Sequence, residues 1–476
     1  MCEMAEKQQS QVKRKKLADL FLILAIVAGM LLIFLEPPFV CPDENAHFIN
    51  ISRIAHGGLF ADTADGKIGS YVSDEDVLFL QTYGGVYNGG EALTFDLKAM
   101  TQMATRPVSE TPAFFETQHA TLNPLPYILP ALLIWVFKLL GFALNSYNSL
   151  LVAKMANLIF YALVIRWAIL KTHALPKTMF MLGLMPMAIF QGASLSYDSP
   201  LIACSFLLIA YVTKLLCSDE QTVVTTEDIV AICLAAAFLI GCKIAYAPLL
   251  LLLLAIPIKK FGSVKRYVLC IGCVVATAVV VYVVPTLVNS IITAGCEIPL
   301  TDLQIQQQAY VKENPWILAR VVTDTVKQCA VDWLRGFFGI LGWLDTFFPN
   351  AFVWTFLLLM MGCAVVETSS VKGIRWNARV LALLGVGVFL VGTICTMYIQ
   401  WNPVLVELVG GTLAHGGQGR YFIPVALFVV LACSSPVLLR FRVGEKLQRV
   451  TEQAVPIVSI SYLCMTVLLI LVRYWT

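Results

Sequence analysis

Lys13-Arg14-Lys15-Lys16-Leu17-Ala18-Asp19-Leu20-Phe21-Leu22-Ile23-Leu24-Ala25-Ile26-Val27-Ala28-Gly29-Met30-Leu31-Leu32-Ile33-Phe34-Leu35-Glu36-Pro37-Pro38 decides the fold. Four consecutive cations precede an apolar run at about 18–36, the pattern of a secretory signal. The run is long, however, and Glu36-Pro37-Pro38 stands where a small-residue cleavage site would be. The reading is an uncleaved first membrane helix with residues 1–17 as a basic cytoplasmic tail.

The rest of the chain repeats the pattern. Of 476 residues, 59% are hydrophobic and 13% charged, and a soluble domain carries about twice that charge. Mean hydropathy is +0.79. Further apolar segments run at about 123–142, 150–170, 177–192, 198–216, 228–241, 244–258, 266–288, 350–366, 378–399, 420–439 and 455–473. The predicted fold is an all-α integral membrane protein of about 11–12 hydrophobic helices in one polytopic domain, 18–476. Its long first outer loop, 37–122, should hold short amphipathic helices. The other outer loops are 193–197, 289–349 and 400–419. A net charge of +3 is too small to argue for nucleic acid. Cys270 and Cys273 have CxxC spacing in an uncharged run without His and read as core. Cys296 and Cys329 share an outer loop and are candidates for a disulfide.

Cations orient the segments. Lys259, Lys260, Lys265 and Arg266 place one loop inside, as do Lys372, Arg375 and Arg379, and then Arg440, Arg442, Lys446 and Arg449. Working back, Arg166, Lys171 and Lys177 are inside only if one segment fails to cross. The favoured one is 123–142, which opens Asn123-Pro124-Leu125-Pro126 and has Pro130 a turn later, so that it bends and lies partly in the outer leaflet. The alternative makes 228–258 a single crossing.

Polar chemistry gathers in the outer loops. The first opens Pro42-Asp43-Glu44-Asn45-Ala46-His47-Phe48, where a carboxylate can accept a proton from a hydroxyl or hold a divalent cation. An acidic N-cap is the bland reading. Asp198 sits alone in the turn Ser194-Leu195-Ser196-Tyr197-Asp198-Ser199-Pro200, where an N-cap is again the ordinary role. Lys243 lies between two apolar segments and can snorkel outward. Gln304, Trp343 and Asp345 in the second loop offer an amide, an indole and a carboxylate to a sugar, or merely decorate surface helices. The third loop ends Gly416-Gly417-Gln418-Gly419-Arg420-Tyr421-Phe422-Ile423-Pro424. Its glycines permit close backbone approach to a ligand, and Arg420 can hold a phosphate or serve as an interfacial anchor.

As a set these motifs resemble a family of uncharacterised bacterial multipass membrane proteins. The resemblance rests on the Pro37–Phe48 opening, Asn123-Pro124-Leu125-Pro126-Tyr127, the Asp198 turn, Gly342-Trp343-Leu344-Asp345 and Gln418–Pro424, in that order over about 36–430. That family is similar to the C-type (GT-C) glycosyltransferase superfamily, which implies a GT-C-like fold. It also implies sugar transfer from a polyprenyl-phosphate donor at the outer face of a bacterial plasma membrane, usually with inversion. Carried over, Asp43 or Glu44 takes the first acidic role and Asp198 the second, and Lys243 resembles a basic position of the lipid-modifying branch. His47, Lys243, Gln304, Trp343, Asp345, Gln418, Arg420 and Tyr421 are the candidate substrate-binding residues. The acceptor would be an envelope glycan or a lipid. No cofactor is certain. A divalent cation (Mg or Mn) on Asp43 and Asp198 is the single candidate. A large C-terminal soluble domain is missing, which argues against transfer to protein sequons. The rival readings are a transporter or flippase for a lipid-linked saccharide, and a non-catalytic scaffold of envelope polymer assembly.

Overall fold

A long apolar run in lipid has to satisfy its own backbone groups, and a helix does so within one segment. The structure, a computed structural model, describes residues 2–87, 94–219, 221–296, 301–370, 374–434 and 443–476. Lys372, Arg440 and Arg442, used above for orientation, lie outside the described residues. Helix α1 (Cys2–Leu35) leads into a polar segment with α2 (Glu44–Ala55), β1 (Asp62–Ala64), β2 (Lys67–Ser73), α3 (Asp74–Tyr83), α4 (Leu97–Ala104) and β3 (Pro112–Glu116). Next come α5 (Leu125–Leu139), α6 (Ser146–Lys171), α7 (Pro176–Gly183), α8 (Pro186–Gly192), α9 (Asp198–Cys217) and α10 (Thr226–Cys242). A 3₁₀ stretch, Ile244–Ala255, precedes α11 (Val264–Ile292). The second polar segment carries α12 (Asp302–Glu313), α13 (Ile317–Gly339) and the short hairpin β4 (Ile340–Leu341)–β5 (Thr346–Phe347). Then follow α14 (Asn350–Ser370), α15 (Trp376–Thr396), α16 (Asn402–Leu405), α17 (Ile423–Ala432) and α18 (Val443–Trp475).

Among the described residues, seven helices are long and apolar enough to cross a membrane. The remaining apolar segments are shorter or broken. Pro186 ends one helical run and starts the next, so the segment expected at 177–192 is two helices, α7 and α8. The segment expected at 244–258 is 3₁₀, whose rise of about 2.0 Å per residue carries twelve residues over ~24 Å, against ~18 Å for an α-helix. Val224 N–H donates to the Lys260 carbonyl at 2.8 Å, so α10 and this stretch form a hairpin whose two ends share one face of the bundle. The single crossing over 228–258 is therefore excluded.

Ion pairs identify that face. Lys13–Glu452 (3.1 Å), Arg166–Asp19 (2.6 Å), Lys171–Glu227 (2.5 Å) and Lys214–Asp228 (2.5 Å) all lie there. On the opposite face, both ends of α5 touch the first polar segment and its neighbours. At its start Asn123 donates to the Val281 carbonyl (2.7 Å), and Asn289, a few residues further along α11, donates to Thr121 (3.1 Å). At its end Lys138 pairs with Glu110 (2.8 Å), and Asn145 donates to the Met103 and Ala104 carbonyls. With both ends on the first polar segment and its neighbours, and with 15 residues, α5 is placed as the bent, non-crossing reading expects.

Two expectations are corrected. The chain is not purely helical: β1, β2 and β3 form an antiparallel sheet, with Thr63 opposite Ile68 and Tyr71 opposite Phe114. Cys296 and Cys329 are free thiols. The sheet matters to the site because buried Arg53 ties α2 to it, donating to Ser70 Oγ (3.2 Å), the Ala120 carbonyl (2.7 Å) and Asn50 Oδ1 (3.0 Å).

The placement of α5 is testable by single-cysteine labelling with a membrane-impermeant maleimide. In a background without other reactive cysteines, Thr121→Cys and Lys138→Cys should react from the same side, and Lys265→Cys from the other. Reaction of Thr121→Cys and Lys138→Cys from opposite sides would show a crossing.

Candidate functional site

The loop after α1 turns sharply, with Phe39 and Asp43 both at positive φ (63° and 68°). Such conformations cost on the order of 1–3 kcal/mol each and persist where the surroundings over-determine them. Phe39 is fully buried and packs edge-on to Phe48 and against Phe79 at 5.6 and 5.3 Å between ring centres. The turn leaves Asp43 beside the start of α2, yet its carboxylate caps no helix N–H. It accepts instead from Arg420 Nη2 at 2.9 Å. Asp198, the first residue of α9, also makes no side-chain cap and lies 3.5 Å from Arg420 Nε. Asp43 thus holds the N-cap position of α2 and Asp198 the first turn of α9, but neither carboxylate makes a capping hydrogen bond and both turn to Arg420.

Arg420 itself is buried, so it is not an interfacial anchor. Gly419 explains how it gets there. A Cβ on Gly419 would stand 2.2 Å from Phe337 N and from the Trp333 carbonyl, so the backbone presses directly on α13. The close approach read from the glycines is real, but its partner is a helix of the same chain. The exposures of the two carboxylates differ in a way that assigns roles. The Asp43 side chain is 58% exposed and that of Asp198 only 5%.

Glu44 points the other way. It is fully buried, 3.0 Å from Lys154 Nζ, and accepts from the Leu195 N–H at 3.1 Å. Glu36 lies 3.8 Å from the same ammonium, and burial pushes its carboxyl up to about 8, against the pull of Lys154 and with a further rise from Glu44. Lys154 and Glu44 thus staple the first loop to the turn that carries Asp198. Of the two acidic candidates in the first loop, Asp43 alone reaches Arg420.

His47 is buried, hydrogen-bonds the Tyr127 hydroxyl at 2.8 Å, and meets the Tyr197 ring edge-on at 4.9 Å. Burial drives its pKa down to about 3, with Asp43 pulling upward and Arg420 downward, so the imidazole is neutral at physiological pH. Tyr127 and Tyr197 wall a cavity of about 190 Å3 whose rim includes Asn123, Lys243 and Thr286. Lys243 Nζ stands 3.7 Å over the Tyr421 ring, a cation–π contact. Among the described residues it makes no ion pair, which leaves its charge available. The Tyr421 carbonyl accepts from Tyr246 at 2.9 Å.

The other candidates are elsewhere or peripheral. Gln418 adjoins Tyr421 in a small crevice against Trp333, its amide oxygen buried without a partner. Gln304 closes a capping box with Thr301 and donates to the Gln400 carbonyl (3.0 Å). Trp343 lies in the β4–β5 turn, and Asp345 there binds Arg473 at 2.8 Å, fastening the hairpin to α18. Among the described contacts, none links these three to Arg420. Lys154, Tyr127 and Tyr197 also build the site, although residue type gives the two tyrosines no functional signal in the sequence. A lone Lys in an apolar helix was the one usable signal.

A divalent cation does not fit between Asp43 and Asp198, because the Arg420 guanidinium already occupies the space and supplies the charge. Among the described residues, no three His, Cys, Asp or Glu side chains surround a common point.

Seven long apolar helices among the described residues, joined by polar segments, define a multipass helical membrane protein. The chain belongs to the family of predicted membrane proteins designated DUF2142, whose model matches residues 26–429. No curated protein and no solved structure matches it.

Two outcomes follow. Gly419→Ala should lower stability by about 1–3 kcal/mol, read as thermal unfolding in detergent, because the helix contact leaves no room for a methyl group. His47 has a folded pKa below its unfolded value, so its contribution is full above about 6.5 and is lost as pH falls toward 3. The fall in melting temperature between neutral and acid pH should accordingly be smaller for His47→Gln than for the wild type.

Proposed function

We propose that the protein is a membrane glycosyltransferase that moves a sugar from a polyprenyl-phosphate donor to an envelope glycan or lipid acceptor. The observation that carries this reading is the meeting of Asp43, Asp198 and Arg420 beside an aromatic-walled cavity with Lys243 at its rim. Asp43 is the exposed carboxylate and takes the proton of the acceptor hydroxyl. The acceptor oxygen bonds to the anomeric carbon as the bond from that carbon to phosphate oxygen breaks. Attack opposite the leaving group inverts the centre, and polyprenyl phosphate departs. Lys243, with Arg420 behind it, stabilises the charge growing on the phosphate. Asp198 holds Arg420 in place.

A groove of about 700 Å3 supports a lipid-linked donor. It runs between α13, α14, α15 and α17, is lined almost wholly by apolar side chains, and reaches Trp333 and Phe422, two residues from Arg420. The location proposed is the bacterial plasma membrane, with the N-terminus cytoplasmic and the site on the outer face. The face opposite the site carries Lys13, Arg14, Lys171, Lys177, Lys259 and Lys260, as expected for a cytoplasmic side.

One observation favours the flippase reading: Glu36, Lys154 and Glu44 are fully buried together, and transporters use such groups. Two measurements separate the readings. In cells matched for membrane expression, Asp43→Asn should reproduce the glycan composition of the deletion strain, losing one sugar, while wild type keeps it. Detergent-solubilised protein given lipid extract from the deletion strain should transfer that sugar, and Asp43→Asn should reduce the rate at least ~100-fold. A wild-type glycan profile for Asp43→Asn returns that carboxylate to a structural role. Glycan loss without transfer in detergent supports the flippase.

A further inference from the structure

The face opposite the candidate site has a cavity of its own, of about 580 Å3, between α1, α7 and α18. One part of its lining is strongly basic, from Lys13, Arg14, Lys16 and Lys177, with Glu452 as the carboxylate among them. The other part is apolar, from Leu17, Leu20, Val455 and Pro456. The change follows the helix. From Lys13 to Leu20 α1 rises ~10 Å, the distance from the headgroup layer into the acyl region.

The charges are unbalanced. Lys13 and Lys177 share Glu452 at 3.1 and 3.9 Å, and Lys177 also reaches Thr451 Oγ1 at 3.4 Å. Among the described residues, Arg14 and Lys16 have neither an ion pair nor a hydrogen bond. Arg14 also feels the buried Glu367 carboxylate, without an ion pair to it. Two cations without ion pairs above an apolar wall, at the boundary where an apolar run begins, match the build of a phospholipid. A soluble phosphate would use the cations and leave Leu17, Leu20, Val455 and Pro456 without a partner. An acidic peptide would likewise meet the cations from the water side and leave the apolar wall uncovered, whereas a leaflet lipid covers both parts.

We propose that this cavity binds one anionic phospholipid of the leaflet opposite the candidate site, its phosphate on Arg14 and Lys16 and an acyl chain along Leu20 and Val455. The site pins α1 to α18, the two helices that end beside Glu36 and Asp345. It does not rest on the glycosyltransferase reading.

The test uses the full chain in nanodiscs of phosphatidylcholine doped with phosphatidylglycerol, followed by native mass spectrometry of the lipid retained in detergent. Wild type should retain phosphatidylglycerol well above its share of the bilayer. Arg14→Gln with Lys16→Gln should reduce that enrichment about 10- to 30-fold, while Lys98→Gln with Lys327→Gln, which removes equal charge elsewhere, should leave it unchanged. Equal retention by the two double variants, or equal loss, overturns the proposal. Displacement of the lipid by inorganic phosphate at matched concentration also overturns it, since that would mark a simple anion site. Leu20→Trp fills the apolar side without touching a charge and should weaken retention too. If Leu20→Trp retains as the wild type does, the lipid assignment falls even should the charge variants not fold.

Discussion

A guanidinium held inside a membrane bundle is the constraint on which the rest depends. Removing one ion from water costs several kcal/mol even after relaxation, and breaking a buried pair costs about 3–5 kcal/mol. Arg420 is 4% exposed, so it must have counter-charges at hand. They come from far away along the chain: Asp43 is 377 positions distant, and Asp198 sits at the head of the central helix α9. The first polar loop, the start of α9 and the start of α17 are therefore obliged to meet at one place. Each is fixed by a separate device. Arg53 ties α2 to the small sheet, Lys154 and Glu44 join the first loop to the α9 turn, and Gly419 lays the backbone against α13.

The same economy of charge extends along the face that holds the site. Trp475 donates to the Leu35 carbonyl at 2.8 Å and Arg473 binds Asp345 at 2.8 Å, so the end of α18 is moored to the end of α1 and to the hairpin after α13. Most ionisable side chains sit at one face or the other. Two clusters draw in most of the exceptions: Glu36 and Glu44 lie within about 4 Å of Lys154, and Asp43 and Asp198 within about 4 Å of Arg420. Chemistry on a charged intermediate needs such preorganised dipoles and charges, because they need not rearrange during reaction. Lys243 fits this logic as the cation without a carboxylate, parked on the Tyr421 ring beside the cavity.

How much was legible differs by kind of feature. Long apolar runs such as Val264–Ile292 were read to within a few residues, because burial in lipid depends on composition alone. The non-crossing α5 was legible from Lys and Arg bookkeeping together with Pro130. The 3₁₀ geometry of Ile244–Ala255 was not, since hydropathy does not distinguish rises of about 1.5 and 2.0 Å. The β1–β2–β3 sheet was also hidden. Its strands are short, and β3 pairs with β2 across a stretch containing two helices. Asp43, Asp198 and Arg420 each stand out in the sequence for a local reason, and each has an ordinary cap or anchor reading beside the functional one; for Asp198 the cap is the more ordinary of the two. Gln304 and Asp345 show the converse. Residue type suggested sugar contact, and neighbours invisible to the sequence turned them to a capping box and an ion pair.

By itself, then, the sequence determined that the chain lies in a membrane and where its long apolar helices fall, because those outcomes follow from hydrophobicity summed over neighbouring positions. Only the tertiary structure decided that Asp43 and not Glu44 meets Arg420, that Asp198 completes the cluster, and that the glycines before Arg420 press on a helix. Those outcomes depend on pairing between positions hundreds of residues apart, set by the need of each buried charge for an opposite one, and no local window of sequence contains both partners.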